Sequence, residues 1–365
     1  MLIGQKTPKY LDIANSIEKE LHSGAWEGKK IPSVRVIAAR YEISTVTASR
    51  ALQVLQDKGL VQARERSGCY RIPPPTADTW ALQFRLTPNN FLTHSMSVAQ
   101  SGFVALARRV PMHLKFDAFS IQPGLTIPEA TRAAGQAREE GLKGVFLLPS
   151  RTCEAETHAE EAFLAGCQKA EMSVVLLERG LRKRRALPAD VVAIDDVAAA
   201  RECTHHLLDR GCRRVGIVVA SPTSSHDDRV AGYLLAMHEN GDPKLEPTVL
   251  YQPIDIPSRE GVAEITRLVL EHRLDGVVCY HDYLALGLMM ELLQRKKRIP
   301  QDVAIVGFDN LPLSDEFSIG LTSYDYPAEA MAEAALAVMK QRIAQPTRGL
   351  VKVQVSGSLK VRASA

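Results

Sequence analysis

From Trp80 onward the chain alternates short apolar runs with helical stretches, and that alternation admits little besides a parallel α/β fold. The runs are Leu82–Leu86, Met112–Phe119, Val145–Leu148, Val174–Leu177, Val191–Ile194, Val215–Val219, Val249–Tyr251, Val277–Tyr280 and Val303–Phe308. Most are too short for helices and too continuously apolar for strands with one wet face. Helical patterns of 12–16 residues separate most neighbours, as parallel crossovers require. One opens on a full capping box, Thr126 with Glu129, and closes at Gly141. Nine strands over residues 80–365 fit two doubly wound lobes better than one sheet. The Pro/Asp break at Leu187–Asp190 joins two strands without a helix, and the first crossing between lobes is expected there. This divides the region into a first lobe of about 80–188 plus 312–325 and a second of about 189–311 plus 326–365.

The front of the chain follows another pattern. Tyr10, Ile13, Ala14, Ile17 and Leu21 form one stripe of an amphipathic helix over Tyr10–Ser23, which Gly24 stops. Pro32-Ser33 opens a second short helix through Tyr41, with Ser33 as a candidate cap. After a tight turn at Glu42-Ile43, Ser44 caps a third helix to Lys58, closed by Gly59. Leu60 to Ile72 then reads as two short strands around Ser67-Gly68. Three helices and a β-hairpin make a winged helix-turn-helix over residues 1–73. Pro73-Pro74-Pro75 cannot continue a ladder, so 74–79 is expected to be a stiff linker. The expected whole is multi-domain: an α+β winged helix joined to a two-lobed α/β body with parallel sheets at 80–365.

Charge is divided the same way. Residues 1–73 hold 12 Lys and Arg against 7 Asp and Glu, a net of +5, whereas the remainder holds 33 against 35, a net of −2. A basic small domain on a near-neutral body fits a nucleic-acid footprint confined to the front. No run of about 18 apolar residues suggests a membrane span, and the first thirty residues lack the apolar stretch of a secretory signal. The cysteines at 69, 153, 167, 203, 212 and 279 form no C-x-x-C pair and have no His at zinc spacing. They read as reduced, mostly buried thiols, with no metal or cofactor implied and the cytoplasm as the expected compartment.

Two groups of residues carry the chemistry. A helix-turn-helix presents the first turn of its second helix to base edges. Here that turn is Ser44-Thr45-Val46-Thr47, followed by Ser49 and Arg50. Short hydroxyls donate to phosphates or bases, and an arginine reaches a phosphate or a guanine. Ser33 and Arg35 open the preceding helix, while Arg64 and Arg66 flank a wing tip whose Gly68 permits close backbone approach. In the body, ligands of open parallel sheets sit beyond the carboxyl ends of strands. The polar residues there include Asn90, Glu178-Arg179, Arg229, His281-Asp282 and Asp309-Asn310, with Tyr280, Tyr283, Phe308 and Tyr326 as possible stacking partners. Carboxylates with one arginine can hold a polyol. Asp282 and Asp309 read equally well as caps, and His281 as a hydrogen-bonded structural histidine.

The front resembles the GntR family in Ile31-Pro32-Ser33-Val34-Arg35, Tyr41-Glu42-Ile43-Ser44-x-x-Thr47, Arg50-Ala51-Leu52-Gln53-x-Leu55-x-x-Lys58-Gly59-Leu60-Val61 and Ser67-Gly68-x-Tyr70. That resemblance implies a homodimer on an inverted-repeat operator. Thr45 and Ser49 stand where the family usually carries basic residues, so the base contacts are expected to differ. The body resembles the LacI/GalR regulators in Asp195-Asp196-x-x-Ala199-Ala200-Arg201, Leu207 to Val215, Arg229-x-x-Gly232-Tyr233, Asp282-Tyr283-x-Ala285-Leu286-Gly287 and Ile299 to Asp309. This second resemblance implies periplasmic-binding-protein-like lobes that dimerise and hold a sugar, nucleoside or related metabolite. By it Arg229 and Asp309 are the best ligand contacts and Glu178 the next, while His281 replaces the usual Asn. The pairing is that of regulators of the arabinose-repressor type.

The expectation is therefore a non-enzymatic, ligand-controlled DNA-binding regulator, a repressor by family habit. A solute-binding protein would share the lobes without the winged helix. A body that only dimerises the DNA-binding heads is the remaining alternative.

Overall fold

The computed structural model describes residues 9–22, 31–58, 60–64, 68–71, 77–84, 94–150, 154–181, 186–220, 223–242, 246–252 and 259–365. The chain divides into two compact units, Met1–Ala77 and Asp78–Ala365.

In the first unit, α1 (Lys9–His22), α2 (Val34–Arg40) and α3 (Thr45–Asp57) precede an antiparallel hairpin of β1 (Val61–Arg64) and β2 (Gly68–Arg71). Ser44 caps α3 by accepting from the Thr47 amide at 3.1 Å. Ser33 occupies the cap position of α2, but its hydroxyl does not close the cap. Glu42 takes a left-handed φ of 52° in the turn between these helices. The core comprises Ala14, Ile17, Ile31, Ile37, Ala38, Ala48, Ala51, Leu52, Leu55 and Val61. Burying each of the larger aliphatics there contributes about 1.5–3 kcal/mol. A backbone bond from Ile31 to Cys69 (2.8 Å) ties the segment before α2 to the hairpin.

The second unit holds two six-stranded sheets. The first lobe is built on β3 (Asp78–Gln83), β4 (Met112–Phe116), β5 (Leu142–Leu147), β6 (Ser173–Leu177), β7 (Asp190–Ile194) and β13 (Lys352–Val355). Their spatial order is β13-β7-β6-β5-β3-β4, and every pair is parallel. The second lobe is built on β8 (Val215–Val219), β9 (Thr248–Tyr251), β10 (Gly276–Cys279), β11 (Ala304–Asp309), β12 (Thr322–Asp325) and β14 (Ser358–Lys360). Their order is β14-β12-β11-β10-β8-β9, parallel except where β14 runs against β12.

All nine expected strands are present, but the lobe boundaries differ from the sequence reading. β7 extends the first lobe beside β6, so the crossing follows residue 194 rather than preceding residue 190. The segment between β6 and β7 shows no helix among its described residues, yet it is long enough to return the chain parallel, since a crossover needs only about a dozen residues. The tail is also exchanged. β12 joins the second lobe, the helix α12 (Ala328–Ala344) packs on β6, β7 and β13 of the first, and β14 returns to the second.

On the second lobe's sheet the helices α7 (Asp196–Asp209) and α8 (Ser224–Asn240) pack closely on each other at Gly232. A Cβ on Gly232 would meet the Val197 carbonyl oxygen at 2.1 Å. No helix among the described residues is long and apolar enough to cross a membrane.

Candidate functional site

In the first unit α3 separates its residues cleanly. Ala48, Ala51, Leu52 and Leu55 are buried, whereas Thr45, Val46, Ser49, Arg50 and Gln53 are exposed. Thr47 is half-buried, and its hydroxyl meets that of Ser44 at 2.9 Å. Those two hydroxyls serve the helix start. Arg35 on α2 and Arg50 on α3 are exposed, and neither has an intrachain partner among the described residues. Unspent guanidinium groups on the two helices of a helix-turn-helix suit phosphate or guanine oxygens. Gly68 is exposed and left-handed, with φ 101°. Arg66 and the side chain of Arg64 lie outside the described residues. Val46, which the sequence reading did not single out, is exposed on α3. Its signal is one of phase, because it falls on the opposite side of α3 from the buried stripe.

In the second unit the carboxyl ends of strands from both lobes converge. Glu178 and Arg179 follow β6, Asp309 ends β11, Arg229 sits in the first turns of α8, and Tyr326 follows β12. Arg229 is 7% exposed. Its Nε donates to Asp196 Oδ1 at 2.7 Å and its Nη1 to the Tyr280 carbonyl at 2.5 Å. The guanidinium lies 4.0 Å from the Phe308 ring centroid, a cation–π contact that polarises both groups. Burial works against its charge, but Asp196 and Asp309 hold its pKa above the ordinary arginine value. Glu178 accepts from Arg179 at 2.6 Å and from the Tyr326 hydroxyl at 3.1 Å. Burial, then the Glu178 charge, push the Tyr326 phenol well above its usual range. Glu178 and Asp309 have positive φ, 63° and 98°. Such backbone costs about 1–3 kcal/mol per residue and persists where the surroundings impose it.

Arg229, Glu178, Asp309 and Tyr326 therefore share one neighbourhood. Phe308 is spent beneath Arg229, and Tyr283 is half exposed on α10 (Asp282–Gln294). His281 is 9% exposed and caps α10, its Nδ1 accepting from the Leu284 amide at 3.0 Å. The Tyr280 ring lies between His226 (5.1 Å) and His281 (4.1 Å). Asn90 lies outside the described residues.

Asp282 is turned the other way. It is 0% exposed and accepts from the Leu311 amide (2.8 Å), the Ser314 hydroxyl (2.6 Å) and the Ser323 hydroxyl (2.6 Å). These donors leave its carboxylate no reach into the cleft. It joins α10 to β12 and to the short helix α11 (Pro312–Glu316). The reading of Asp282 as a ligand contact gives way to that of a structural clamp.

Arg179, named from its strand-end position, belongs to the neighbourhood, and Asp196 and Gln252 are further members that strand-end reasoning had not named. Asp196 was hidden because its partner stands 33 positions away. Gln252 follows β9, is 1% exposed and accepts from the Tyr280 hydroxyl at 3.3 Å. The buried Nε2 of Gln252 and Nε of Arg179 have no acceptor among the described residues. Buried donors are normally satisfied, so both are available to a hydroxylated guest.

Burial pushes Asp196 up to about 6, although Arg229 pulls it down, and pushes Asp282 up to about 7 with help from Asp309. A carboxyl that binds its proton more tightly folded than unfolded removes stability as pH rises. The window runs from the ordinary 3.8 to about 7. Asp190 is shifted downward and acts in the opposite sense, but only below about pH 4. Calorimetry should thus show the second unit melting lower at pH 7.5 than at pH 5, with Asp282→Asn flattening the upper part. A melting temperature that climbs across that window in both proteins would sink the assignment.

Residues 9–70 match the family model described as bacterial regulatory proteins, gntR family. Residues 204–365 match the model of the periplasmic binding protein-like domain. The arabinose metabolism transcriptional repressor of Geobacillus stearothermophilus is 23% identical over 348 residues, which are 93% of this chain and 92% of that protein. A solved complex of the transcriptional regulator CelR with cellobiose superposes with TM-score 0.62 at 20% identity, covering 92% of this chain and 100% of that one. A LacI family regulator from Enterococcus faecium with bound ribose gives TM-score 0.59 at 20% identity, covering 79% of this chain and 98% of that one. At such identities the two structures show a shared fold.

Proposed function

Residues 9–70 are a gntR-family DNA-binding domain and residues 204–365 a periplasmic-binding-protein-like domain, and from that premise we propose a repressor whose operator affinity is set by a sugar or sugar derivative held between two lobes. The observation that carries the ligand is the inter-lobe neighbourhood of Glu178, Arg229, Asp309 and Tyr326, with the buried donors of Arg179 and Gln252 unspent beside strand ends. Carboxylates, a guanidinium and an amide are the groups that hold hydroxyls in fixed directions. The cellobiose and ribose complexes of its structural neighbours support that chemistry. In this reading the cleft binds and does not catalyse, and the protein works in the cytoplasm where its operator lies.

Control follows from linkage. A ligand that favours one arrangement of the lobes changes operator affinity, and operator changes ligand affinity by the same factor. The expected unit is a homodimer on an inverted repeat. The exposed Tyr283, Met290 and Leu293 on α10, with Leu313 on α11, give it an apolar face. Sedimentation as a monomer at micromolar concentration would overturn the dimer.

The test of the ligand is thermal unfolding of the full chain against mono- and disaccharides, sugar acids, polyols and nucleosides. A guest at about 100 times its Kd stabilises by about 2.7 kcal/mol, and the shift should vanish in Asp309→Asn. No shift across the panel favours a body that only dimerises. On the DNA side, Arg35→Ala should cost about 1–3 kcal/mol of operator affinity. Unchanged binding at physiological salt would remove Arg35 from the interface.

A further inference from the structure

Val46 stands in the first turn of α3 with 64% of its surface exposed, more than any other large apolar side chain among the described residues. It heads a solvent-facing stripe of Val46, Ser49, Arg50 and Gln53, spaced i, i+3, i+4 and i+7. Stability gives no reason for a valine there. A β-branched side chain lowers helix propensity, and this one buries little area in return. Two neighbouring hydroxyls that could have read bases are already engaged. Ser44 Oγ takes the Thr47 amide, and the two hydroxyls meet each other.

Resting on the DNA-binding reading above, we propose that Val46 is a specificity-determining residue that recognises a thymine. The major-groove edge of a base pair offers donors, acceptors and one apolar group, the C5-methyl of thymine. An isopropyl group in the first turn of a recognition helix is the complement of that methyl. It makes no useful contact with the donor or acceptor edges of guanine, cytosine or adenine. Arg50, one turn further along, supplies the charge that holds the helix to a phosphate or a neighbouring guanine.

The experiment begins with selection of the full-length protein on random-sequence duplex DNA. Each thymine of the enriched site is then replaced by deoxyuridine, which removes only the methyl. Binding is measured by fluorescence anisotropy for the wild-type chain and for Val46→Ala. Loss of one buried methyl changes affinity by about fourfold. The expected result is one thymine per half-site whose deoxyuridine substitution weakens wild-type binding by about that factor and leaves Val46→Ala indifferent. The other positions should respond alike in both proteins, so the cycle isolates the pair. Val46 is exposed, so the variant should melt with the wild type. An enriched site at which every thymine responds equally in both proteins overturns the thymine contact and leaves DNA recognition standing. Selection that enriches no site overturns the DNA-binding reading and this inference together.

Discussion

Replacing Arg229 by alanine should destabilise the second unit by about 3–5 kcal/mol, the ordinary cost of breaking a buried ion pair from one side. The substitution leaves Asp196, which is 2% exposed, with an uncompensated charge. It also strips the Tyr280 carbonyl of its 2.5 Å donor and the Phe308 ring of its cation. Urea unfolding read by Trp80, itself 2% exposed in that unit, measures the loss. Part of the loss should return as pH falls towards 6, because without Arg229 the orphaned carboxyl takes up its proton above the value of about 6 that it has in the intact pair. Adding Asp196→Leu to an Arg229→Met background should recover much of it, because the desolvation cost of both charges then disappears. Arg229→Lys should not, since an ammonium cannot serve Asp196 and the Tyr280 carbonyl from one planar group. A loss under 1 kcal/mol for Arg229→Ala would mean that water replaces the guanidinium and that the cluster is wet. The unfolding assay separates this structural role from ligand contact, which Asp309→Asn probes.

The second large effect is expected far from the cleft, at the amino end of β7. Asp190, whose side chain is 0% exposed, accepts from Arg342 Nε (2.8 Å) and Nη2 (2.9 Å), from Arg348 Nη2 (3.3 Å) and from the Val351 amide (3.0 Å). The same Arg342 guanidinium donates to the carbonyls of Pro346 (3.0 Å), Arg348 (2.6 Å) and Gly349 (2.9 Å). One side chain thus staples the loop between α12 and β13 to the start of β7. Arg342→Met should cost about 3 kcal/mol, near the lower end of the buried-pair range because Arg348 remains. It should also open residues 345–351 to protease, a change that a general loss of stability would not confine there. A loss under 1 kcal/mol with unaltered cleavage would overturn the staple.

These two carboxylates show why burial alone does not set a titration. Burial raises both, yet Asp190 ends below the ordinary carboxylate value and Asp196 well above it. Asp190 meets two guanidinium groups and a backbone amide, whereas Asp196 meets one guanidinium and feels the charges of Asp228 and Glu178 as well. Charge-assisted donors offset desolvation in the first case and fall short in the second.

Reading residues in order was enough for the winged helix. The stripe at Ala14 and Ile17, the Ser44 cap and the buried phase Ala48, Ala51, Leu52 and Leu55 are local periodicities, and local hydrogen bonds realise them. Nine of the twelve strands described in the second unit were legible for the same reason, as was the capping box of Thr126 and Glu129. Lobe membership was not. Whether β7 continues beside β6 or begins another sheet depends on which edge is open when the chain arrives, and no residue in 187–194 encodes that edge. The site divides along the same line. Strand-end position alone selected Arg229, Glu178, Asp309 and Asp282 as equals. Only the tertiary structure decided that Arg229 meets Asp196 across 33 positions and Glu178 meets Tyr326 across 148, while Asp282 turns away to Ser323 across 41. A side chain's chemistry is written at its own position, but its partner is chosen by the packing of distant segments.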